Sequence, residues 1–312
     1  ALTACDDGVG ADAGTRTDAG RRDAAAPFDA GGERDAGRDG ADATDAGTPS
    51  PCGFDGDPSA LVDLSTMSDI WRSDYDFAEI YDMPGRVLSG WRTDRFVFVK
   101  SDDVVLRDFV LAPTAGTGDY YNIRTDDREA GAGLLIQNGT IATTGATDDG
   151  PLKGIVIAVS GVHVDDVEIT GSHDGISIGA DDALVENVCI HDLAETPTAH
   201  NDGIEIYGGS HIVIRNAIID NDHGQTSAIN ITNDYGPIDD VLIEDSHLAG
   251  GGYTIYVRGD GASSPATVTN IRFHNVVIDR PGSYGVISYQ DAPGAIVEWD
   301  VRDASGAAIP MP

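Results

Sequence analysis

Apolar and polar positions alternate along this chain in runs too short to be helices, and the runs repeat. A six-residue pattern, apolar-x-[Asn/Asp]-x-x-apolar, recurs at Leu106–Leu111, Ile136–Ile141, Val164–Ile169, Val185–Ile190, Ile214–Ile219, Ile243–Leu248 and Phe273–Ile278. Its third position reads Asp108, Asn138, Asp166, Asn187, Asn216, Asp245 and Asn275, at spacings of 30, 28, 21, 29, 29 and 30 residues. A second pattern, small-apolar-x-apolar, recurs between them at 154–157, 175–178, 203–206, 228–231, 254–257 and 285–288. Period-2 segments of this length predict two or three short strands per repeat. Each repeat cannot bury its apolar face alone, so successive turns must stack. The prediction is an all-β parallel solenoid of about seven to nine rungs, spaced about 4.8 Å apart. Residues 53–84 are expected to cap the first rung, with a helix at Ala60–Trp71. The tail after Val301 is expected to close the last, because open strand edges invite aggregation.

Composition narrows the function. Asp+Glu number 53 against Lys+Arg 19, a net charge of −34, and the only lysines are Lys100 and Lys153. Such a surface repels phosphate, which excludes nucleic acid and charge-driven membrane binding. No apolar run reaches the 18 or so residues of a membrane span. Residues 6–50 are built of Asp, Ala, Gly and Arg with an Asp-Ala-Gly triplet recurring, and they hold too few large hydrophobes to fold. They read as a disordered tether, which leaves 51–312 as the folded domain, expected to be a monomer. Cys189 sits at an outward strand position and Cys52 opens the folded region, so a Cys52–Cys189 disulfide is expected.

Two resemblances add to this. Leu2-Thr3-Ala4-Cys5 resembles a bacterial lipobox, the end of a lipoprotein signal peptide (residues 1–5). It implies a lipid on Cys5, membrane contact only through that anchor, and export to the cell envelope, the cell surface or the medium. The stacked Asn/Asp series across about residues 85–305 resembles the asparagine ladder of the right-handed parallel β-helix in the pectate-lyase superfamily, where the amides bond along the axis inside a turn. His-Asn-Asp-Gly-Ile-Glu-Ile (200–206) is similar to the Asn-Thr-Asp-Gly-Ile-Asp-Ile segment of polygalacturonases. The paired Asp, Gly-His-Gly and Arg-Ile-Lys elements of that family are absent, as is the pectate-lyase Arg-x-Pro-Lys. In the superfamily this sheet and its flanking loops hold a polysaccharide.

In a solenoid, equivalent residues form columns. The outward positions of the second strand read Val156, Ser177, Glu205, Asn230, Tyr256, Ile287, then Ala158, Gly179, Tyr207, Thr232, Arg258, Tyr289. The turn before it reads Lys153, Asp174, Asp202, Ser227, Tyr253, Tyr284. The loops entering the strand carry His173, His200 and His223, which are expected to border the same groove. Three functions remain open. A lyase acting on a uronic glycan must neutralise the uronate, take the C5 proton and protonate the leaving oxygen. Arg258, or Ca²⁺ on Asp174, Asp202 and Glu205, would neutralise; His200, His223 or Tyr256 would be the base, and Tyr207 or Tyr253 the acid. A glycoside hydrolase would use two carboxylates among Asp174, Asp202 and Glu205. A non-catalytic glycan-binding module would use Tyr207, Tyr253, Tyr256, Tyr284 and Tyr289 as stacking platforms, with His173 and Asn230 lining the groove. The lyase is the leading expectation.

Overall fold

The computed structural model describes residues 52–114, 121–125, 130–146, 153–196, 199–259 and 267–312. The tether and the lipobox with Cys5 lie outside the described residues. The chain coils through two parallel sheets, each strand bonding to the strand one turn earlier and one turn later. One sheet stacks Phe77–Tyr81, Val97–Lys100, Tyr121–Thr125, Lys153–Ile157, Asp174–Ile178, Ile204–Ile206, Ile229–Thr232, Tyr253–Arg258 and Gly285–Gln290, about eight turns; it is called the groove sheet below. The other, the corner sheet, stacks Val87–Thr93, Val105–Leu111, Leu135–Ala142, His163–Thr170, Leu184–Ile190, Gly209–Arg215, Ile238–Glu244 and Val268–Arg280.

The inward residues explain the stacking. Ile155, Ile176, Ile204, Ile229 and Ile255 form one buried file on the groove sheet, faced by Val164, Val185, Ile214 and Ile243 on the corner sheet. β-Branched side chains suit a pleated strand, and like stacked on like leaves no gap between rungs. The first turns are filled by Trp91 stacked on Phe109, ring centroids 4.6 Å apart. On the next rung a Cβ on Gly139 would come within 2.1 Å of the Phe109 ring, so only glycine fits beneath it.

The Asn/Asp series marks corners. Asp108, Asn138, Asp166, Asn187, Asn216, Asp245 and Asn275 all adopt φ of 48–56°. Five residues before each stands a second left-handed residue: Asp103, Gly133, Gly161, Asp182, His211, Asp240 and Asn270. Asn and Asp tolerate this region better than other side chains, which is why the pattern recurs. The ladder is real but segmented: Asn138 donates to Asp108 (2.8 Å), Asn216 to Asn187 (2.6 Å) and Asn275 to Asp245 (2.6 Å). It runs along a half-buried or exposed outer corner, not inside the turn, because a left-handed residue there turns its side chain outward. The buried amides belong to other residues. Asn122 bonds Thr143, Asn201 bonds the His173 and Ala194 carbonyls, and Asn221 bonds those of Asn201 and Ser227. We expect Asn216→Ala to cost about 1–2 kcal/mol, the left-handed penalty of an ordinary residue, and Asn216→Gly clearly less. Thermal melts of both variants check this; equal losses would assign the cost to the lost amide bond instead.

The expected helix at Ala60–Trp71 does not form. Two 3-10 turns, Pro58–Ala60 and Leu64–Thr66, replace it, begun by Asp57 and Asp63 accepting from the Ser59 and Ser65 amides. Asp and Ser offer the backbone such local bonds, and here they break the segment every few residues. Among the described residues there is no α-helix. Trp71–Arg72 then pairs antiparallel with Phe77–Tyr81 and covers the first edge. At the other end the tail folds back, with Ile309 donating to the Val301 carbonyl. Cys52 and Cys189 form the expected disulfide. It straps the 52–54 segment to the outside of the corner sheet, where Gly53 and Phe54 donate to Asp166 and Thr140.

Candidate functional site

The outward face of the groove sheet carries most of the predicted residues in their predicted columns. Ser177, Glu205, Asn230 and Tyr256 stack in register, as do Thr232 and Arg258. The last rung departs by one residue. Tyr253 pairs with Gly285, Tyr256 with Ser288, Val257 with Tyr289 and Arg258 with Gln290. A one-residue slip turns every side chain to the opposite face. Tyr289 therefore packs against the core, its hydroxyl bonded to Ala292 and Ala295, and is not part of the groove. Ile287 likewise leaves the outward column, and Tyr284 lies one residue ahead of its column. Tyr284 is 70% exposed and still touches Tyr253, centroids 5.8 Å apart.

At the centre is a chain of charged and polar side chains. Lys153 reaches across rungs to Glu205 (2.7 Å), Asp174 (3.2 Å) and the Ser177 hydroxyl (2.9 Å). Ser177 in turn donates to Glu205. Asp174, 4% exposed, accepts the Asp202 amide at 3.0 Å. Asp202, 2% exposed, accepts the amide and hydroxyl of Ser227 and the side chain of Asn230. The turn that places an Asp before Gly175-Ile176 and before Gly203-Ile204 thus also buries two carboxylates beneath the face.

Burial decides their protonation. For Asp202, burial and then the Asp174 and Glu205 charges push the carboxyl up to about 8, against the bonds from Ser227 and Asn230. Burial raises Asp174 too, although Lys153 pulls the other way. Burial alone would lower Lys153, but the charges of Asp174 and Glu205 overturn it and hold the ammonium charged. Burial raises the phenols of Tyr207 and Tyr256. The sign for stability follows. A carboxyl whose folded value lies above 3.8 stabilises the fold while protonated, fully below about pH 4, and that contribution is lost as pH rises toward 8. Urea melts from pH 4 to 9 should show stability falling across this window, and Asp202→Asn should flatten the fall. Parallel curves for the two proteins would refute the assignment.

Aromatic rings flank the centre. The Tyr207 ring lies over Gly179 of the preceding turn, where a Cβ would meet it at 2.0 Å. Tyr207 also meets Tyr235 edge-on at 5.1 Å, as Tyr253 meets Tyr256 at 5.5 Å. Toward the first turns a half-exposed strip continues the face: Phe77 stacks on Phe96 (4.4 Å), and Arg124 and Lys100 lie over the rings of Tyr121 and Phe98.

The three predicted histidines differ in burial and partners. His173 is 2% exposed, with its backbone carbonyl bonded to Asn201. His200 is exposed in the entering loop. His223 donates from Nε2 to the Leu193 carbonyl (2.6 Å) and sets Nδ1 3.5 Å from Glu195, beside a separate cavity. Sequence reading passed over Lys153, Ser177 and Ser227 as site residues, although Lys153 stood in the turn column and is one of only two lysines. It also passed over Arg124 and Lys100. Among the described residues one group has ligand atoms close enough to share a cation, and it is not the expected Asp174, Asp202 and Glu205 but His163, Asp165 and Glu186 on the corner sheet. Its carboxylates are already met by Gln137, Asn187, Arg215 and the histidine itself. Set beside protein-family models, curated proteins and solved structures, the chain matches none of them.

Proposed function

We propose that this protein holds an acidic polysaccharide along the outward face of the groove sheet and cleaves it by β-elimination. The observation that carries the reading is where the cations sit. In a chain of net charge −34, the strands of this sheet hold Arg72, Lys100, Arg124, Lys153 and Arg258 against Glu79, Asp174 and Glu205. On the strands of the corner sheet acids outnumber arginines. A face that gathers cations on an acidic body gives an anionic ligand contacts that the acid-rich strands of the corner sheet do not. Flanking tyrosines and phenylalanines provide the stacking surfaces that sugar rings use. The resemblance to the pectate-lyase superfamily agrees with this reading.

In this proposal the Arg258 guanidinium meets the uronate carboxylate, which acidifies C5–H, while Lys153, its N–H groups spent on Asp174, Glu205 and Ser177, offsets those two carboxylates. The Tyr256 phenolate takes that proton, the C4–C5 double bond forms as the C4–O4 bond breaks, and the Tyr207 phenol protonates the leaving oxygen. Asp174 and Glu205 hold Lys153 in place. Calcium at Asp174, Asp202 and Glu205 would have to displace that ammonium, so the uncalcified form is the active one. Because burial holds Tyr256 above its ordinary value of 10, the rate should climb through the alkaline range.

The test incubates the full chain with neutral and uronic polysaccharides, with Ca²⁺ or with EDTA. It follows absorbance near about 232–235 nm, where an unsaturated uronate absorbs, and reducing ends in parallel. Absorbance on a uronic polymer, retained in EDTA and reduced about 10²–10⁴-fold by Tyr256→Phe, is the expected result. A second reading, hydrolysis, is favoured by the protonated Asp202 carboxyl beside Glu205. Reducing ends without absorbance would establish it instead. We further propose export and lipid anchoring through Cys5; the Cys52–Cys189 disulfide supports an oxidising compartment.

A further inference from the structure

A cavity of about 330 Å³ opens beside the groove, lined by Glu195, Thr196, Ala199, Asn201, His223 and Gln225. All six come from the two loops that lead into Ile204–Ile206 and Ile229–Thr232. The volume falls at the lower end of the roughly 300–1,000 Å³ of small-molecule sites, room for about one or two sugar rings.

Its chemistry is that of a hydroxyl-rich ligand. Five of the six residues are polar, and only Ala199 is not. Thr196 Oγ1 is buried without a hydrogen-bond partner. Asn201 spends its amide N–H groups on the His173 and Ala194 carbonyls, so what it has left to offer a ligand is an acceptor. His223 is held by its Nε2–H on Leu193 and by its backbone amide on Asn221, which fixes the ring in the cavity wall. A buried hydroxyl left unpaired costs about 1–3 kcal/mol, which a sugar hydroxyl would recover.

Charge sets the cavity apart from the groove. It contains a carboxylate, Glu195, and no lysine or arginine. A uronate is therefore disfavoured where a neutral sugar is not. The position is also telling: Asn201 in the cavity wall is the chain neighbour of Asp202 under the groove. We propose that this cavity is a branch subsite, which takes a neutral sugar carried as a side chain on the acidic glycan lying along the sheet. The glycan part rests on the function proposed above; the affinity for a neutral sugar does not.

Saturation-transfer NMR on the full chain with free galactose, xylose, arabinose and rhamnose tests the cavity by itself, with galacturonate and glucuronate as controls. Transfer to at least one neutral sugar, lost on filling the cavity, is expected, whereas any transfer to the uronates comes from the groove and should be untouched by filling the cavity. Gln225→Trp should fill the cavity from the exposed rim and reduce the transfer at least fivefold; Glu195→Ala serves as a second variant that adds no bulk and should relax the exclusion of uronates. Thermal melts confirm that both variants fold. No transfer to any neutral sugar, or transfer unchanged by Gln225→Trp, overturns the proposal. On polymers, KM for a branched acidic polysaccharide should be about tenfold lower than for its debranched form, and Gln225→Trp should bring the two together. Equal KM values in the native protein overturn the branch role. Neutral-sugar transfer with no polymer cleaved would instead sink the groove reading while leaving the cavity as a sugar site.

Discussion

Replacing Lys153 with methionine should cost about 3–5 kcal/mol and abolish activity. Methionine keeps most of the apolar stem but removes the charge that Asp174 and Glu205 share, at 3.2 and 2.7 Å. The side chains of Lys153, Asp174 and Glu205 are 22%, 6% and 19% exposed, so water cannot replace the ammonium well. Removing one partner of a buried pair costs this much because the other charge is left stranded. For a domain of this size the loss corresponds to a melting temperature lower by roughly 6–20 °C. The cost should shrink in acid. Once Asp174 is protonated it needs no counter-charge, and burial already raises its proton affinity. Melts of Lys153→Met at pH 5 and pH 8 should therefore differ more from the native protein at pH 8. Adding Asp174→Asn should restore part of the loss. An equal loss at both pH values would mean that Lys153 matters through packing, not charge.

The second large effect is expected at the disulfide. Cys52 and Cys189 lie 137 residues apart, and a cross-link over so long a loop removes much of the freedom of the unfolded chain. The chain-entropy relation gives roughly 5 kcal/mol, and measured losses for native bridges run about 2–5 kcal/mol. Cys52→Ser should lower the melting temperature by roughly 5–15 °C. Reductant should bring the native protein down to the same value and leave the variant unchanged. The bridge fastens the first residues of the domain to the corner sheet, away from the groove. Turnover measured well below the melting temperature should accordingly survive its loss. If reduction shifted neither melt nor rate, the cap would be held by Gly53, Phe54 and their partners Asp166 and Thr140 alone.

How much was readable beforehand depends on which force set each feature. The solenoid was readable because its driving force is local and periodic: two-residue alternation, repeated every 21–30 residues, leaves stacking as the only way to bury the apolar face. The Asn/Asp corners were visible for the same reason, but their meaning was not. Periodicity shows that Asn138 and Asn216 are equivalent, whereas only their φ of 50° shows that backbone conformation selects them. At Ala60–Trp71 local hydrogen bonding decides otherwise than expected, because Asp57 and Asp63 favour 3-10 turns over a helix. The last rung failed for a still smaller cause, a one-residue shift that sent Tyr289 inward.

The sequence by itself determined the fold class, the turn that carries each column, and the placing of Glu205, Tyr207, Asn230, Tyr256 and Arg258 on one face, since these follow from period and alternation. Only the tertiary structure decided that Lys153 bridges three turns, that Asp174 and Asp202 lie beneath the surface, and that His223 faces a cavity apart from the groove. Those are matters of side-chain reach and loop path across rungs. No periodicity along the chain encodes them, because they depend on how one turn rests on the next.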